Sequence, residues 1–196
     1  MSHVVVLLGH RIGYSASPAV QNAAFAALGL PWRYALRDVA PSALGDAASE
    51  LRDGDVAGAN VTQPHKVAIC ERVDELAPEV RKLGAANTIV RRDRSLVAHN
   101  TDLGAIGAEL AEMLGAIATR SARAERAVVL GAGGASRAAQ AALADAGVAR
   151  VEVVDRARWA DLPRVLATAD LVVNATPIGT ASDESPIPAE LLRHVA

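Results

Sequence analysis

The sequence predicts an α/β protein of two domains, the second built on a Rossmann-like, doubly wound parallel sheet. Three observations predict it. Strand-like and helix-like stretches alternate along most of the chain. A glycine turn at Gly131 to Gly134 stands between an apolar strand and an alanine-rich helix. A fresh strand and helix series starts there, after a polar, Ala- and Arg-rich connection at Ile117 to Glu125. With 196 residues, 51% of them hydrophobic, the chain is long enough for one ordinary domain or two small ones with buried cores. The boundary belongs near Asp102, giving domains over 1–101 and 102–196, with a linker helix over 102–115 opening the second.

Val4 to Leu8 reads as a buried strand, and Pro18 to Leu28 as a helix with Ser17 as N-cap and Pro18 at the first helical position. Trp32 to Val39 is a second strand, Ser42 to Arg52 has helical spacing, and Val56 to Val61 is a third strand. Pro64 is placed to open a short helix that carries Lys66 near its start and Cys70 further on. Glu75 to Lys82 reads as helical. Thr88 to Arg91 and Leu96 to His99 flank Asp93 and Arg94 as the arms of a hairpin. A helix from Asp102 to about Leu114 follows. In the second half Ala127 to Leu130 is a strand, Ala135 to Ala146 a helix, Val151 to Val154 a strand, Leu162 to Ala167 a short helical stretch and Leu171 to Val173 a strand.

Composition excludes several classes. A net charge of −2 and a pI near 6.2 give no electrostatic footprint for nucleic acid. No apolar run approaches the roughly 18 residues of a membrane span, so no membrane role is expected and the default location is cytoplasmic. The single Cys70 rules out an internal disulfide and a cysteine metal cluster, and is expected to pack as a small hydrophobe. His65 and His99 read as loop or rim residues without zinc-site spacing, so no metal is expected.

The polar residues are concentrated in GANVTQPHK (Gly58 to Lys66), GAANT (Gly84 to Thr88) and HNTD (His99 to Asp102). Hydroxyls, amides, one ammonium and one carboxylate recur there between regular elements, where a scaffold places side chains around a ligand. Lys66 and Lys82 are the only lysines against eighteen arginines, so an ammonium at Lys66 stands out as a group that can release its proton. Ser15 and Ser17 alternate in YSASP and would face the same way in an extended loop, ready to donate to a carboxylate or hydroxyl. Helix capping is the competing reading for Ser17. Asn60 and Thr62 show the same alternation. The Asn-Val-Thr triplet also matches a glycosylation acceptor, which requires a secretory context. Together with Lys66, Asn87, Asn100 and Asp102 these groups suit a polyhydroxylated substrate. A surface lysine and a helix N-cap are the competing readings of Lys66 and Asp102.

The glycines at 131, 133 and 134 let backbone approach a pyrophosphate closely, at the N-terminus of a helix that favours negative charge. Ser136 takes the third small position. A tight turn without a ligand is the alternative. At the end of the next strand, Asp155 suits the ribose 2′-hydroxyl of NAD, whereas Arg156 suits the 2′-phosphate of NADP. Asp155 could also simply cap the following turn.

The combination of GHRIGYSASP, GANVTQPHK, GAANT, HNTD, GAGGAS and NATPIG resembles the shikimate dehydrogenase family, in the family's order and near its spacing over essentially the whole chain. The resemblance implies an N-terminal substrate domain, a Rossmann-like cofactor domain, and reversible NADPH-dependent reduction of 3-dehydroshikimate to shikimate in aromatic amino acid (chorismate) biosynthesis. It implies that Ser15 and Ser17 hold the substrate carboxylate, that Asn60, Thr62, Asn87 and Asp102 are further substrate contacts, and that Lys66 and Asp102 are the catalytic pair. Gly131, Ala132, Gly133, Gly134, Ala135 and Ser136 match the phosphate loop, Asp155 and Arg156 the ribose end, and Asn174, Ala175, Thr176 and Pro177 the segment near the nicotinamide.

Three features depart from the family pattern. Asp155, Arg156 and Ala157 stand where Asn-Arg-Thr is usual. Most of a helix and strand expected before WADLPRVLATADLVVNATP is missing. The sequence stops at PIPAELLRHVA, so the cofactor domain reads as incomplete at its C-terminus. That shortening predicts uncovered sheet edges, self-association including a homodimer, and reduced stability and turnover. The alternatives are a quinate/shikimate dehydrogenase using NAD and a shortened, non-catalytic shikimate-binding module.

Overall fold

The computed structural model describes residues 3–53, 55–118, 124–180 and 182–192. The chain divides into two compact units, Met1–Thr101 and Asp102–Ala196. In the first unit, β1 (His3–Gly9), α1 (Ser17–Ala27), β2 (Trp32–Asp38), α2 (Leu44–Asp53), β3 (Val56–Val61), β4 (Glu75–Leu76), α3 (Pro78–Leu83), β5 (Thr88–Arg92) and β6 (Ser95–His99) form a six-stranded sheet in the order β2-β1-β3-β5-β6-β4. β1 runs parallel to β2 and β3, and β5 is antiparallel to both β3 and β6. Alternation along β1 serves both faces. Val6 and Leu8 enter a large core with Leu51, Val61, Ile69, Val80, Ile89 and Leu96. Leu7 joins a smaller cluster with Ile12 and Tyr34, against which Val5 and Phe25 pack.

Three local expectations are corrected. Ser17 is the first residue of α1 rather than its cap; the cap position belongs to Ala16, and it is the Ser15 hydroxyl that accepts the Ser17 N–H at 3.3 Å. Pro64 opens no α-helix. It lies in a turn after a cis Gln63–Pro64 bond, and only a single 3-10 turn, Ala68–Glu71, follows. The Lys66 carbonyl accepts the Ala86 N–H at 2.7 Å instead of continuing a helix, which explains the interruption. Cys70 sits on that short turn, half-buried against the main core. Glu75 and Leu76 pair in parallel with Val97 and Ala98, so the expected helix starts only at Pro78.

In the second unit, α4 (Asp102–Ala118) runs past the expected end at Leu114. The polar connection expected from Ile117 onward falls largely on 119–123, outside the described residues. β7 (Arg126–Leu130), α5 (Gly134–Asp145), β8 (Arg150–Val154), α6 (Leu162–Leu166), β9 (Leu171–Asn174) and α7 (Ala189–Leu192) follow, and the sheet is parallel in the order β8-β7-β9. Leu110 of α4 and Ala139, Ala142 and Leu143 of α5 cover one face. Leu162, Val165 and Leu166 of α6, with Ile187, cover the other. The chain leaves β7 toward β8 and returns to β9 on the opposite side. The carboxyl end of β7 is therefore a topological switch point, where open α/β sheets bind ligands.

Candidate active site

The polar motifs of the first unit meet at the carboxyl ends of β1 and β3. Thr62 donates its N–H to the Leu8 carbonyl at 2.8 Å and His10 donates to the Gln63 carbonyl at 3.1 Å, which joins the loop after β1 to the loop after β3. A Cβ on Gly9 would meet the Thr62 methyl at 2.6 Å, so the glycine is what lets Thr62 come this close. The GAANT segment closes onto the same place: Ala86 bonds to the Lys66 carbonyl, Val61 N–H to the Asn87 carbonyl at 2.8 Å, and Asn87 N–H to the His99 carbonyl at 3.1 Å. Lys66, Thr62 and Asn87 are half-buried. Ser15 and Ser17 are brought together, with Ser15 Oγ donating to Ser17 Oγ at 3.1 Å.

Asn87 is held firmly. Its Oδ1 accepts the Thr101 N–H at 2.9 Å and the Thr88 hydroxyl at 3.0 Å, and its Nδ2 donates to Thr101 Oγ1 at 2.9 Å. Asn60 turns its Oδ1 to the Tyr34 hydroxyl at 2.8 Å and its Nδ2 to Thr88 Oγ1 at 3.2 Å. Tyr34, Thr88 and Thr101 are absent from the sequence-derived set. A half-buried amide, Asn60, near the end of the core strand β3 was the available signal, because an amide drawn out of water demands partners. Among the described residues no buried side-chain nitrogen or oxygen lacks one.

Carboxylates brace the surrounding loops. Asp38 accepts the Arg11 N–H at 3.1 and 3.0 Å and meets His10 Nδ1 at 3.0 Å. The Arg11 N–H first, then the His10 ring, holds its carboxyl below the usual range. Glu79 accepts the Asn100 N–H and faces His99 Nδ1 at 3.2 Å; burial pushes its carboxyl up, but hydrogen bonds from its own N–H, the Asn100 N–H and the His99 ring together outweigh it and the net displacement is downward. Two expectations change here. His65 is 1% exposed, with Nε2 on the Val39 carbonyl at 2.7 Å, so it is a buried strut rather than a rim residue. Asn100 is also buried, donating to the Ala85 carbonyl at 2.9 Å. Asp102 is half-buried at the start of α4 in the second unit.

The second unit has its own polar centre at the switch point. Gly131 has φ +102°, and a Cβ there would lie 2.9 Å from the Ala175 carbonyl oxygen, so the turn after β7 and the turn after β9 press together at a position that suits glycine. Gly133 differs: its φ of −80° suits any residue, and a Cβ there would meet nothing within 4 Å. Neither strain nor packing accounts for that glycine, whereas a ligand backed onto the N-terminus of α5 would. Ala132 is exposed, Ala135 half-buried and Ser136 fully buried, with its Oγ accepting from Gln140 at 3.1 Å. Asn174 Oδ1 accepts the Thr176 N–H and hydroxyl at 2.9 and 2.7 Å, and Nδ2 donates to the Ile178 carbonyl, which shapes the turn through Ala175 and Pro177. Asp155 caps the 3-10 turn Arg156–Asp161 by accepting the Arg158 N–H at 3.0 Å, while Arg156 is exposed.

Residues 7–89 match the family described as shikimate dehydrogenase substrate binding domain. The chain is 41% identical to a shikimate dehydrogenase (NADP(+)) of Symbiobacterium thermophilum over 95% of its own length and 70% of that relative's. It is 43% identical to one of Geobacter metallireducens over 79% of its length, spanning 53% of the relative. Among solved structures, shikimate 5-dehydrogenase of Thermus thermophilus, in complex with NADP(H) and shikimate, superposes with a TM-score of 0.76 at 34% identity, covering 96% of this chain and 74% of that one. The alignment to the Symbiobacterium relative has 212 positions against a chain of 196 residues, so that relative carries residues which this chain lacks within the aligned region.

Proposed function

The chain belongs to the shikimate dehydrogenase family, and from that premise we propose that it catalyses the reversible reduction of 3-dehydroshikimate to shikimate with NADPH, as a cytoplasmic step of aromatic amino acid biosynthesis. In this reading residues 1–101 bind the substrate and residues 102–196 the dinucleotide. The observation that carries it is the convergence of the Lys66, Asn87 and Thr62 segments through backbone hydrogen bonds at the carboxyl ends of β1 and β3.

The residue chemistry fits. NADPH, when bound, supplies the hydride to the carbonyl carbon. Negative charge then grows on the carbonyl oxygen, and the Lys66 ammonium stabilises that charge and delivers the proton that completes the hydroxyl. Asp102, the other member of the catalytic pair in this reading, is a carboxylate suited to accept from a ring hydroxyl. Ser15 and Ser17 donate to the substrate carboxylate, and Thr62 and Asn87 meet the remaining hydroxyls. Asn60, with both ends of its amide engaged by Tyr34 and Thr88, stands behind them.

The second unit fits the cofactor. Gly131, Ala132, Gly133, Gly134, Ala135 and Ser136 would hold the pyrophosphate at the start of α5, and Asn174, Ala175, Thr176 and Pro177 would lie along the nicotinamide end. The exposed Arg156 would pair with the 2′-phosphate, while the capping of Arg158 by Asp155 weighs against Asp155 as a ribose ligand for NAD. Steady-state kinetics with 3-dehydroshikimate and NADPH test the proposal. Lys66→Ala is expected to lower kcat by about 100-fold or more while calorimetry still registers shikimate binding. Near-normal turnover in that variant would remove Lys66 from the mechanism.

A further inference from the structure

Tyr34 lies on β2, at the edge of the first unit's sheet, and reaches the candidate site only through other side chains. Its ring is 4% exposed and packs with Leu7 and Ile12. Asn22 of α1 clamps its backbone from the open side of the strand: Tyr34 N–H donates to Asn22 Oδ1 at 2.8 Å, and Asn22 Nδ2 donates to the Tyr34 carbonyl at 2.9 Å. The hydroxyl is thereby fixed in place, pointing along the sheet toward β3.

From that hydroxyl a directed series of hydrogen bonds runs across the sheet. Tyr34 donates to Asn60 Oδ1, which turns Asn60 Nδ2 toward Thr88 Oγ1 at 3.2 Å. Thr88, accepting there, has its own proton left for Asn87 Oδ1 at 3.0 Å. Asn87 Oδ1, already accepting the Thr101 N–H, is held as the acceptor end of that amide, so Nδ2 is the end given to Thr101 Oγ1. Polarity is fixed at two backbone groups, the Asn87 carbonyl that accepts from Asn60 Nδ2 at 3.4 Å and the Thr101 N–H that donates to Asn87 Oδ1, and the Tyr34 and Thr88 hydroxyls tie the two amides to each other.

We propose that Tyr34 is a positioning residue of the substrate site, whose hydroxyl, acting through Asn60 and Thr88, holds the Asn87 amide in place and with it the recognition of a substrate hydroxyl. The functional half of this statement rests on the shikimate dehydrogenase reading; the structural half does not. Burial pushes the Tyr34 phenol up, so its proton is retained throughout the working pH range.

Tyr34→Phe removes the donor and keeps the ring in its cluster. Two measurements on the full chain decide the matter. In nitrogen-edited NMR spectra, the side-chain amide signals of Asn87, three hydrogen bonds from the substitution, are expected to move in Tyr34→Phe. In calorimetry, shikimate is expected to bind about tenfold more weakly, the loss of roughly one well-made hydrogen bond, with NADP affinity unchanged. The double variant Tyr34→Phe/Thr88→Val is expected to bind shikimate no more weakly than Thr88→Val alone, because the relay is already cut. Asn87 signals that stay in place, or additive losses in the double variant, overturn the inference. If the unaltered chain fails to bind shikimate, the functional reading falls, and the NMR comparison still decides whether Tyr34 holds Asn87 in place.

Discussion

Two glycines of one turn separate a residue kept for the fold from a residue kept for a ligand. Gly131 has a positive φ and a carbonyl oxygen 2.9 Å from where a Cβ would stand, so Gly131→Ala is expected to destabilise the chain by about 1–3 kcal/mol. Gly133 has open space and ordinary backbone angles. Gly133→Ala is therefore expected to leave thermal unfolding unchanged while weakening NADPH binding at least tenfold, because the methyl group fills the volume a pyrophosphate would take. Fluorescence titration of NADPH beside a melting curve reads both effects. Unchanged NADPH affinity in Gly133→Ala would show that the turn is only a turn. At the other end of the cofactor, Arg156→Ala is expected to weaken NADP and spare NAD, since the proposed reading pairs the arginine with the 2′-phosphate that NAD lacks. Equal weakening of both, or of neither, would rule out that pairing.

At the level of elements, what was legible in the sequence was whatever local chemistry determines. β1, β3, β7 and α5 follow from apolar runs, a glycine turn and helix-forming composition, and each lies within a residue or two of its expected bounds. The stretch between Thr62 and Ala77 was not legible, because its partners are remote in sequence. Lys66 is tied to Ala86, and β4 exists only because Val97 and Ala98 lie beside it. The same holds for Tyr34 and Thr88, whose importance lies in the Asn60 amide between them. Asp74 is another remote tie, accepting the Arg52 guanidinium at 3.0 and 3.2 Å and the Leu96 N–H at 2.7 Å, and so joining α2 to β6. The Arg52 side chain first, then the Leu96 N–H, holds its carboxyl below the usual range. A depressed folded value means that the contribution is complete above the unfolded pKa of about 4 and is lost as pH falls through the folded value. Asp74→Asn is accordingly expected to be less stable than the parent at neutral pH, by about 1 kcal/mol given its exposure, and to lose less stability on acidification. Denaturant melts at pH 7 and pH 3 check this; a parent and variant that differ equally at both would exclude the linkage.

At the scale of the whole molecule, the short passage from β8 to β9 leaves β8 at an edge of its sheet. Residues 155–170 make that passage with one 3-10 turn and α6, and no strand lies outside β8 among the described residues. An edge of this kind invites strand addition. Here a side chain occupies part of it. The Val154 carbonyl accepts from Gly131 on the β7 side, so the Val153 carbonyl faces outward, and Arg158 Nη1 donates to it at 2.9 Å. The rest of that guanidinium is held by Glu152 at 2.6 Å and Asp161 at 3.2 Å, with Arg164 at 3.8 and 3.6 Å from the same two carboxylates. Exposed ion pairs of this kind add little to stability. Their effect is to occupy an outward carbonyl and to place alternating charge where another strand would dock. Arg158→Ala is therefore expected to leave the unfolding midpoint nearly unchanged and to make the chain associate more strongly with rising concentration, as read by sedimentation velocity. Restoring a cation with Arg158→Lys is expected to reverse only part of the effect, because one ammonium cannot reach the carbonyl and both carboxylates as the guanidinium fork does. Sedimentation of Arg158→Ala indistinguishable from the parent over the same concentration range would show that this cluster does not guard the β8 edge.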